Sequence, residues 1–297
     1  MNNPKAQQKI FESINGFFIR AIELKESEKL AAYFRFMKMV PNHSPFNNTL
    51  VFIQNPNCGY YATASQWEKR FGRVIKNDVR PMVILFPFWP VEFVYDIDDT
   101  EGEPITDENI ISWWRENGGT FDDKIMENTF RILEWLGIRW HKPDPSEYFE
   151  NHTLRVGGFA RYTYSTGEFD IALHPRYSEF SLESYWILCH EIAHILLGHL
   201  GSVVWPPDKK SSNWKEISKN RCHVPDNIME LEAELVAWIV FNSLGIEKNS
   251  ESYIAMWMNN PDDFRRLEMS EVLRVAGKIQ DMGKGIPIYR KQAKATP

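Results

Sequence analysis

The sequence predicts an α+β protein with two domains, over residues 1–120 and 121–297. Segments whose apolar residues recur at helical spacing are interspersed with short segments that alternate between apolar and polar residues, so both helices and strands are expected. A chain of 297 residues, of which 43% are hydrophobic, is long enough to bury two cores. The acidic and polar run DDTEGEPITDEN at 98–109 has the composition of a linker and places the domain boundary near residue 120.

Charge and composition exclude several classes of protein. The net charge is −6 and the sequence pI is about 5.8, so any nucleic-acid-binding surface must be local. Three cysteines without a C-x-x-C pair predict neither a disulfide framework nor a structural zinc ribbon. The first residues, MNNPKAQQKI, lack the apolar core of a signal peptide, and no apolar run of about 18 residues occurs. We therefore expect a cytoplasmic protein without a membrane partner.

The N-terminal half begins with an amphipathic pattern that predicts a helix over 5–40. A short helix is predicted over 66–71, and Gly72 is expected to end it. After a turn, MVILF at 82–86 and VEFVYDI at 91–97 have the composition of two strands. These elements give the predicted N-terminal domain both helices and strands.

A basic and aromatic stretch lies within this half. Five cations and two acidic residues occur between Gln66 and Arg80, a local excess of three positive charges. Aromatic faces that stack on bases, together with cations that follow a phosphate backbone, are typical of single-stranded DNA binding. The alternative is a solvated helix face over an ordinary aromatic core. The candidate DNA-binding residues are Tyr60, Tyr61, Trp67, Lys69, Arg70, Arg73, Lys76 and Arg80.

The C-terminal half contains two strongly apolar helices and a hairpin. Alternation in RYTY and EFDIAL, with a turn over 165–167 between them, predicts a β-hairpin. The segment between the two apolar helices has no strong periodicity and is expected to be mostly loop. The predicted elements are an amphipathic helix over 122–137, the hairpin within 155–175, the apolar helices over 186–200 and 229–245, and further helices over 252–258 and 270–282.

The first apolar helix, WILCHEIAHILLGHL, carries the motif H-E-x-x-H. His190 and His194 are four residues apart, so they share a helix face and can bind one metal ion. Glu191 follows the first histidine, where its carboxylate can act as general base on a water at the metal. Polar side chains within an apolar helix are costly without a partner, and a divalent metal is the simplest one. Zn²⁺ is expected, with Mn²⁺ as the alternative.

The second apolar helix offers the third metal ligand. Glu230 and Glu234 share a helix face, so we predict Glu230 as the ligand and Glu234 as the hydrogen-bond partner of a ligand histidine. Glu232 is the alternative ligand. His199 lies one residue short of the metzincin spacing and is expected to be a polar residue near the helix end. His223, in the loop, is a rival ligand or else a stabiliser of an oxyanion.

The motifs together resemble known families. HEIAHILLGH followed by ELEAELVAW resembles the ImmA/IrrE-like zincin domain. With the segments SPFNNTLVF and YYATASQWEKRFGRV before it, the chain is similar to ArdC-type antirestriction proteins of conjugative plasmids. The resemblance implies an N-terminal domain that binds single-stranded DNA and a zincin-like metallopeptidase domain, with His190, His194 and Glu230 as ligands and Glu191 as base. The turn KNDVR departs from the lysine- and glycine-rich turn of that family.

The expected function is that of an antirestriction protein. It would bind single-stranded DNA, protect incoming plasmid DNA from host restriction and carry a metallopeptidase site whose candidate substrate is a host protein. One alternative is a regulatory zinc metallopeptidase that cleaves a repressor-like protein, with incidental DNA binding. Another is a DNA-coating protein whose metal site is not catalytic.

Overall fold

The structure, a computed structural model, describes residues 4–24, 27–40, 43–85, 91–106, 121–141, 157–174, 181–205, 215–246 and 261–288. It contains both helices and strands, as the α+β prediction requires. The chain divides into two compact units, unit 1 (Met1–Thr120 with Asn242–Ser270) and unit 2 (Phe121–Phe241 with Glu271–Pro297). The functional division into a DNA-binding domain and a zincin-like domain stays a prediction. In the described ranges, no helix combines the length and the apolar character that a membrane crossing requires.

The elements are numbered here in chain order. The helices are α1 (Pro4–Glu23), α2 (Ser27–Met39), α3 (Pro45–Gln54), α4 (Ala64–Phe71), α5 (Asp123–Trp135), α6 (Leu182–Leu196), α7 (Asp226–Ser243), α8 (Pro261–Phe264) and α9 (Met269–Gly283). The strands are β1 (Tyr61–Ala62), β2 (Val74–Ile75), β3 (Met82–Ile84), β4 (Glu92–Asp96), β5 (Thr100–Glu101), β6 (Ile138–His141), β7 (Gly158–Thr163), β8 (Glu168–Leu173), β9 (Val203–Trp205) and β10 (Lys215–Ser218).

The core of unit 1 is an aromatic cluster between its first three helices. The predicted continuous helix over 5–40 is wrong, because α1 ends at Glu23 and α2 begins at Ser27. This break allows Tyr33 of α2 to contact Phe18 of α1 edge to face, with ring centroids 5.2 Å apart. Phe52 of α3 packs on Tyr33 at 5.4 Å, so the three helices share one core.

A three-stranded antiparallel sheet, in the order β1-β4-β3, accompanies these helices. It includes the two strands predicted over 82–86 and 91–97. The predicted short helix is present as α4 and begins at a capping box, in which Thr63 and Gln66 satisfy each other's backbone N–H. It ends at Gly72, whose φ of 61° is in the left-handed region, as predicted.

Unit 2 contains a three-stranded sheet in the order β6-β8-β7. The predicted hairpin is present as antiparallel β7 and β8, and β6 runs parallel to β8. The strand β7 lies so close to α6 that a Cβ at Gly158 would be only 2.8 Å from Cγ2 of Ile187. The predicted loop after α6 instead contains the antiparallel strands β9 and β10. The helix predicted over 252–258 lies outside the described residues.

Candidate metal centre

The two helices α6 and α7 position the predicted site. Ser181 caps α6 by accepting a hydrogen bond from the backbone N–H of Ser184. Most residues of α6 are buried, so this helix lies in the core of unit 2 with its two histidines fixed on one face. The N-terminal half of α7 supplies Glu230 and Glu234 to that same face.

The three predicted ligands converge on one point. His190 Nε2 lies 3.2 Å from His194 Nε2. Glu230 Oε2 lies 3.3 Å from His190 Nε2, and Glu230 Oε1 lies 3.5 Å from His194 Nε2. Ligands bound tetrahedrally to Zn²⁺ at about 2.05 Å would be separated by about 3.3 Å. The three residues therefore fit a divalent metal ion, and they form a potential metal-binding group.

Glu234 occupies the supporting position predicted for it. Its Oε2 lies 3.3 Å from Nδ1 of His190, while Nε2 of the same ring faces His194 and Glu230. A carboxylate at Nδ1 favours the tautomer that leaves Nε2 available to a metal. The spacing of Glu230 and Glu234 by one helical turn thus gives one carboxylate to the metal position and one to its ligand.

The electrostatics of the two histidines differ. Burial alone would lower the pKa of His190, but hydrogen bonds to Glu230 and Glu234 and the charge of Glu191 raise it above its usual range. Burial lowers the pKa of His194, and the neighbouring charge of His190 lowers it further. The hydrogen bond to His190 lowers the pKa of Glu230. Without a metal, the ring of His190 is therefore positively charged at neutral pH, with a proton on each nitrogen, and the ring of His194 is neutral, with a proton on one nitrogen only.

The candidate general base Glu191 is 7% exposed. Burial raises its pKa to about 7, although the charge of His190 and a hydrogen bond from the backbone N–H of Ala160 oppose this shift. A carboxylate with a pKa near neutrality can both accept and release a proton under ordinary conditions.

A cleft of about 550 Å³ opens onto these residues. The side chain of Glu230 is 65% exposed and lies at its solvent-facing side. The lining combines the metal-centre residues with glycines and apolar side chains. It consists of Gly157, Gly158, Phe159, Ala160, Trp186, Ile187, His190, Glu191, His194, Leu200, Asp226, Met229, Glu230 and Glu234.

No protein-family model, curated protein or solved structure matches this chain. The resemblance to ArdC-type and ImmA/IrrE-like proteins therefore stays a prediction from the sequence. The interpretation of the metal centre rests on its own geometry.

Two predicted DNA-stacking residues are core residues instead. Tyr61 and Trp67 are both 0% exposed. The Tyr61 hydroxyl donates to Oδ1 of Asn48 at 2.6 Å, and Nε1 of Trp67 donates to the carbonyl of Tyr95 at 3.0 Å. A ring without an exposed face cannot stack on a base while the fold is intact. The third candidate, Tyr60, is half-buried and packs against the cluster around Trp67.

The basic residues of this stretch divide into two groups. Lys69, Arg70 and Arg80 are exposed. Arg73 instead donates from its guanidinium to Oγ1 of Thr100 and to the carbonyls of residues 100, 102 and 103. Lys76 is also exposed, but its Nζ donates to the carbonyl of Asp98 at 2.7 Å. Arg73 and Lys76 therefore hold the β5 segment in place.

Acidic residues lie beside this basic stretch in space. The pairing of β2 with β5 places Val74 opposite Glu101, and the backbone N–H of Lys76 donates to the carbonyl of Asp99. The excess of positive charge between Gln66 and Arg80 is therefore opposed by acidic residues of the segment that lies beside it in the fold. The acidic residues of this neighbouring segment are Asp98, Asp99, Glu101 and Glu103.

The structure also places polar residues behind the candidate metal centre, in contacts that the sequence interpretation did not predict. His199 contacts His194 on the side away from the metal position. Glu232 in turn contacts His199, and Arg221 contacts Glu232. Glu232, the alternative ligand, is 0% exposed and points away from the ligand group. His223 is exposed and is not among the cleft-lining residues. The glycine that precedes His199 is the one sequence signal that could have indicated its position.

Proposed function

We propose that unit 2 is a metal-dependent hydrolase of peptide bonds. The observation that carries this proposal is that nitrogen and oxygen atoms of His190, His194 and Glu230 lie 3.2, 3.3 and 3.5 Å apart, beside a buried glutamate that follows the first histidine. Two imidazoles and one carboxylate are a ligand set typical of catalytic zinc, so Zn²⁺ is the proposed ion and Mn²⁺ the alternative.

The chemistry follows from the roles of these residues. A divalent cation bound by His190, His194 and Glu230 would polarise the scissile carbonyl and lower the pKa of water. Glu191, once ionised, removes a proton from the attacking water and delivers it to the leaving amine.

The edge of β7 supports a peptide as the substrate. Within the described residues, β7 pairs with β8 and with no strand on its other side. The backbone N–H of His174 donates to the carbonyl of Gly157, so these two residues form a hydrogen-bonded pair. Hydrogen-bonded and non-hydrogen-bonded pairs alternate along an antiparallel ladder, so the backbone N–H and C=O groups of Gly158 and Ala160 point away from β8. Because the N–H of Ala160 donates to Glu191, this edge of β7 borders the cleft. An extended peptide can add there as a further strand.

The test measures hydrolysis of unfolded, fluorescently labelled casein by Zn²⁺-loaded protein. Glu191→Gln should retain the metal and lose about 10²- to 10⁴-fold in rate, the usual contribution of a general base. Glu230→Ala should bind the metal more weakly. Glu183→Gln, an exposed change on the same helix, is the matched control and should hydrolyse at the wild-type rate. Hydrolysis by Glu191→Gln at the wild-type rate would contradict the proposed role of this carboxylate.

For unit 1 we keep single-stranded DNA as the proposed ligand, on the support of the family resemblance and of the exposed residues Lys69, Arg70 and Arg80. Replacing these three with alanine should weaken the binding of short oligonucleotides at about 100 mM salt. The slope of log affinity against log salt concentration should fall by the equivalent of about three phosphate contacts. Lys124→Ala, in unit 2, is the control. Equal binding by the triple variant and the wild type would remove these residues from the proposal.

The role in antirestriction is a separate proposal with its own test. Plasmid transfer into a restricting host should be protected by wild-type protein and not by Glu191→Gln if hydrolysis is the operative step. Protection by a Glu191→Gln protein that still holds its metal would instead support a DNA-coating role. Absence of DNA binding, together with intact hydrolysis, would support a regulatory peptidase that cleaves a repressor-like protein.

A further inference from the structure

A buried row of polar side chains extends from the metal centre into unit 2. His199 Nδ1 lies 3.1 Å from Nδ1 of His194. His199 Nε2 lies 2.9 Å from Oε2 of Glu232, and Nη2 of Arg221 donates to Oε1 of Glu232 at 2.8 Å. The side chains of His199 and Glu232 are 0% exposed and that of Arg221 is 10% exposed. Buried groups of this kind are strongly dependent on complete hydrogen bonding.

The chemistry of the two outer members fixes the direction of the hydrogen bond between His199 and Glu232. A guanidinium only donates and a carboxylate only accepts, so His199 must donate from Nε2 to Glu232. The charge of Glu232 is already balanced by Arg221, so a neutral His199 leaves the row without an uncompensated charge. Its Nδ1 is then an acceptor, and His194 must donate from Nδ1. The Nε2 of His194 therefore keeps its lone pair on the side of His190 and Glu230.

The backbone after α6 is shaped to make this contact. Gly198 has a φ of 79°, in the left-handed region that favours glycine, and it follows the last helical turn directly. A Cβ at this position would overlap the carbonyl oxygen of Lys219. The N–H of His199 donates to the carbonyl of His194 at 3.0 Å, and the N–H of Arg221 donates to the carbonyl of Gly198 at 2.8 Å. The backbone turn at Gly198 thus places His199 beside His194. The hydrogen bond to the Gly198 carbonyl holds the Arg221 segment against this turn.

We propose that His199 is a positioning residue for the metal centre: the row Arg221–Glu232–His199 holds the ring of His194 in the tautomer whose Nε2 faces the metal position. The inference rests on the proposed metal site and extends it by assigning a partner to the second histidine, as Glu234 is the partner of the first. The two ligand histidines are therefore supported differently, His190 by a half-exposed carboxylate and His194 by a fully buried histidine.

The metal affinity of two substitutions at one position tests this role. His199→Leu removes the acceptor for His194 and should weaken Zn²⁺ binding by about 10- to 100-fold, the usual effect of losing such a partner. His199→Gln can accept from His194 and donate to Glu232, so it should recover most of the affinity. His223→Leu, at the exposed histidine, should bind Zn²⁺ like the wild type. Affinity is measured by competition with a chromophoric chelator, using protein whose circular dichroism shows it to be folded.

The outcomes separate this inference from the proposed function. Wild-type protein that binds no Zn²⁺ would overturn the metal site itself. Tight binding by the wild type with equal affinity in His199→Leu would overturn only the role of His199. If His199 had a purely structural role, His199→Leu would lower the melting temperature of the metal-free protein. The Zn²⁺ affinity of the folded fraction would then be unchanged.

The tautomers of the wild-type protein give a second test that does not depend on the folding of any variant. Long-range ¹H–¹⁵N correlation spectra of the imidazoles should show the proton of His194 on Nδ1 and that of His199 on Nε2. The opposite assignment, with the proton of His194 on Nε2, would overturn the proposal.

Discussion

Binding of a metal should displace one proton from this site, and that proton should come from His190. A histidine must be deprotonated at the nitrogen that binds a metal. The acidic neighbours of His190 raise its pKa to about 10, whereas burial lowers the pKa of His194 to about 4. At about pH 6 the ring of His190 is therefore positively charged and that of His194 is neutral, and Glu230, whose pKa is lowered, is already ionised.

The magnitude follows from the pKa of His190. At pH 7 the ring lies about three pH units below its pKa of about 10. The apparent affinity for the metal is then about 10³-fold weaker than that of the deprotonated site, or about 4 kcal/mol at 1.36 kcal/mol per unit. Affinity should rise about tenfold per pH unit from about pH 6 upward, because one proton is released for each metal bound.

Titration calorimetry in two buffers of different ionisation enthalpy measures this proton directly. At about pH 6 we expect about one proton per Zn²⁺. Glu234→Gln removes one of the groups that raise the pKa of His190, so it should lower the pH at which proton release falls to one half. Release of no proton would refute the reasoning about His190.

Three further predictions concern the base, the strand at the cleft and the aromatic core. The kcat/KM for peptide hydrolysis should rise as pH increases through about 7, because the pKa of Glu191 is raised to about 7 and its ionised form accepts the proton; an activity that stays level from pH 5 to 9 would contradict this. Gly158→Ala should lower the free energy of unfolding by about 1–3 kcal/mol through the clash with Ile187. Gly16→Ala, inside α1, should raise it by about 0.5–1 kcal/mol. Both are measured by urea unfolding, and equal effects of the two substitutions would contradict the close approach of β7 to α6. Trp67→Ala should cost about 3–5 kcal/mol in the same assay, and a loss below about 1 kcal/mol would show that the ring is not in the core.

The candidate metal centre could be predicted because its determinants are local. The separation of His190 from His194 and of Glu230 from Glu234 is one helical turn in each case, and helical geometry alone places each pair on one face. The distances among His190, His194 and Glu230 agree with this interpretation. The contacts of His199 could not be predicted in the same way, because Glu232 is 33 residues from it in the chain. Only tertiary packing brings these two side chains together.

The basic and aromatic stretch shows the limit of counting residues along a chain. The sequence places Trp67 among cations, but it does not indicate which face of its helix is buried. The structure places this ring in the core and positions an acidic segment against β2. Charge and exposure are properties of neighbouring surfaces, and those neighbours lie more than twenty residues away in the chain.

The composition of unit 1 has a consequence for the order in which the protein folds during synthesis. Residues 242–270 belong to this unit, and they include Ser270, whose N–H donates to Oδ1 of Asn15 at 3.0 Å, and Arg265, which pairs with Glu23 at 3.3 Å. The ribosome releases the N-terminus first, so the first 120 residues are exposed long before these partners exist. The whole segment that carries the candidate metal ligands is translated in the interval. A nascent chain of this protein therefore completes its first-made unit only after most of unit 2 has been made, and a fragment that stops at residue 120 retains this incomplete state.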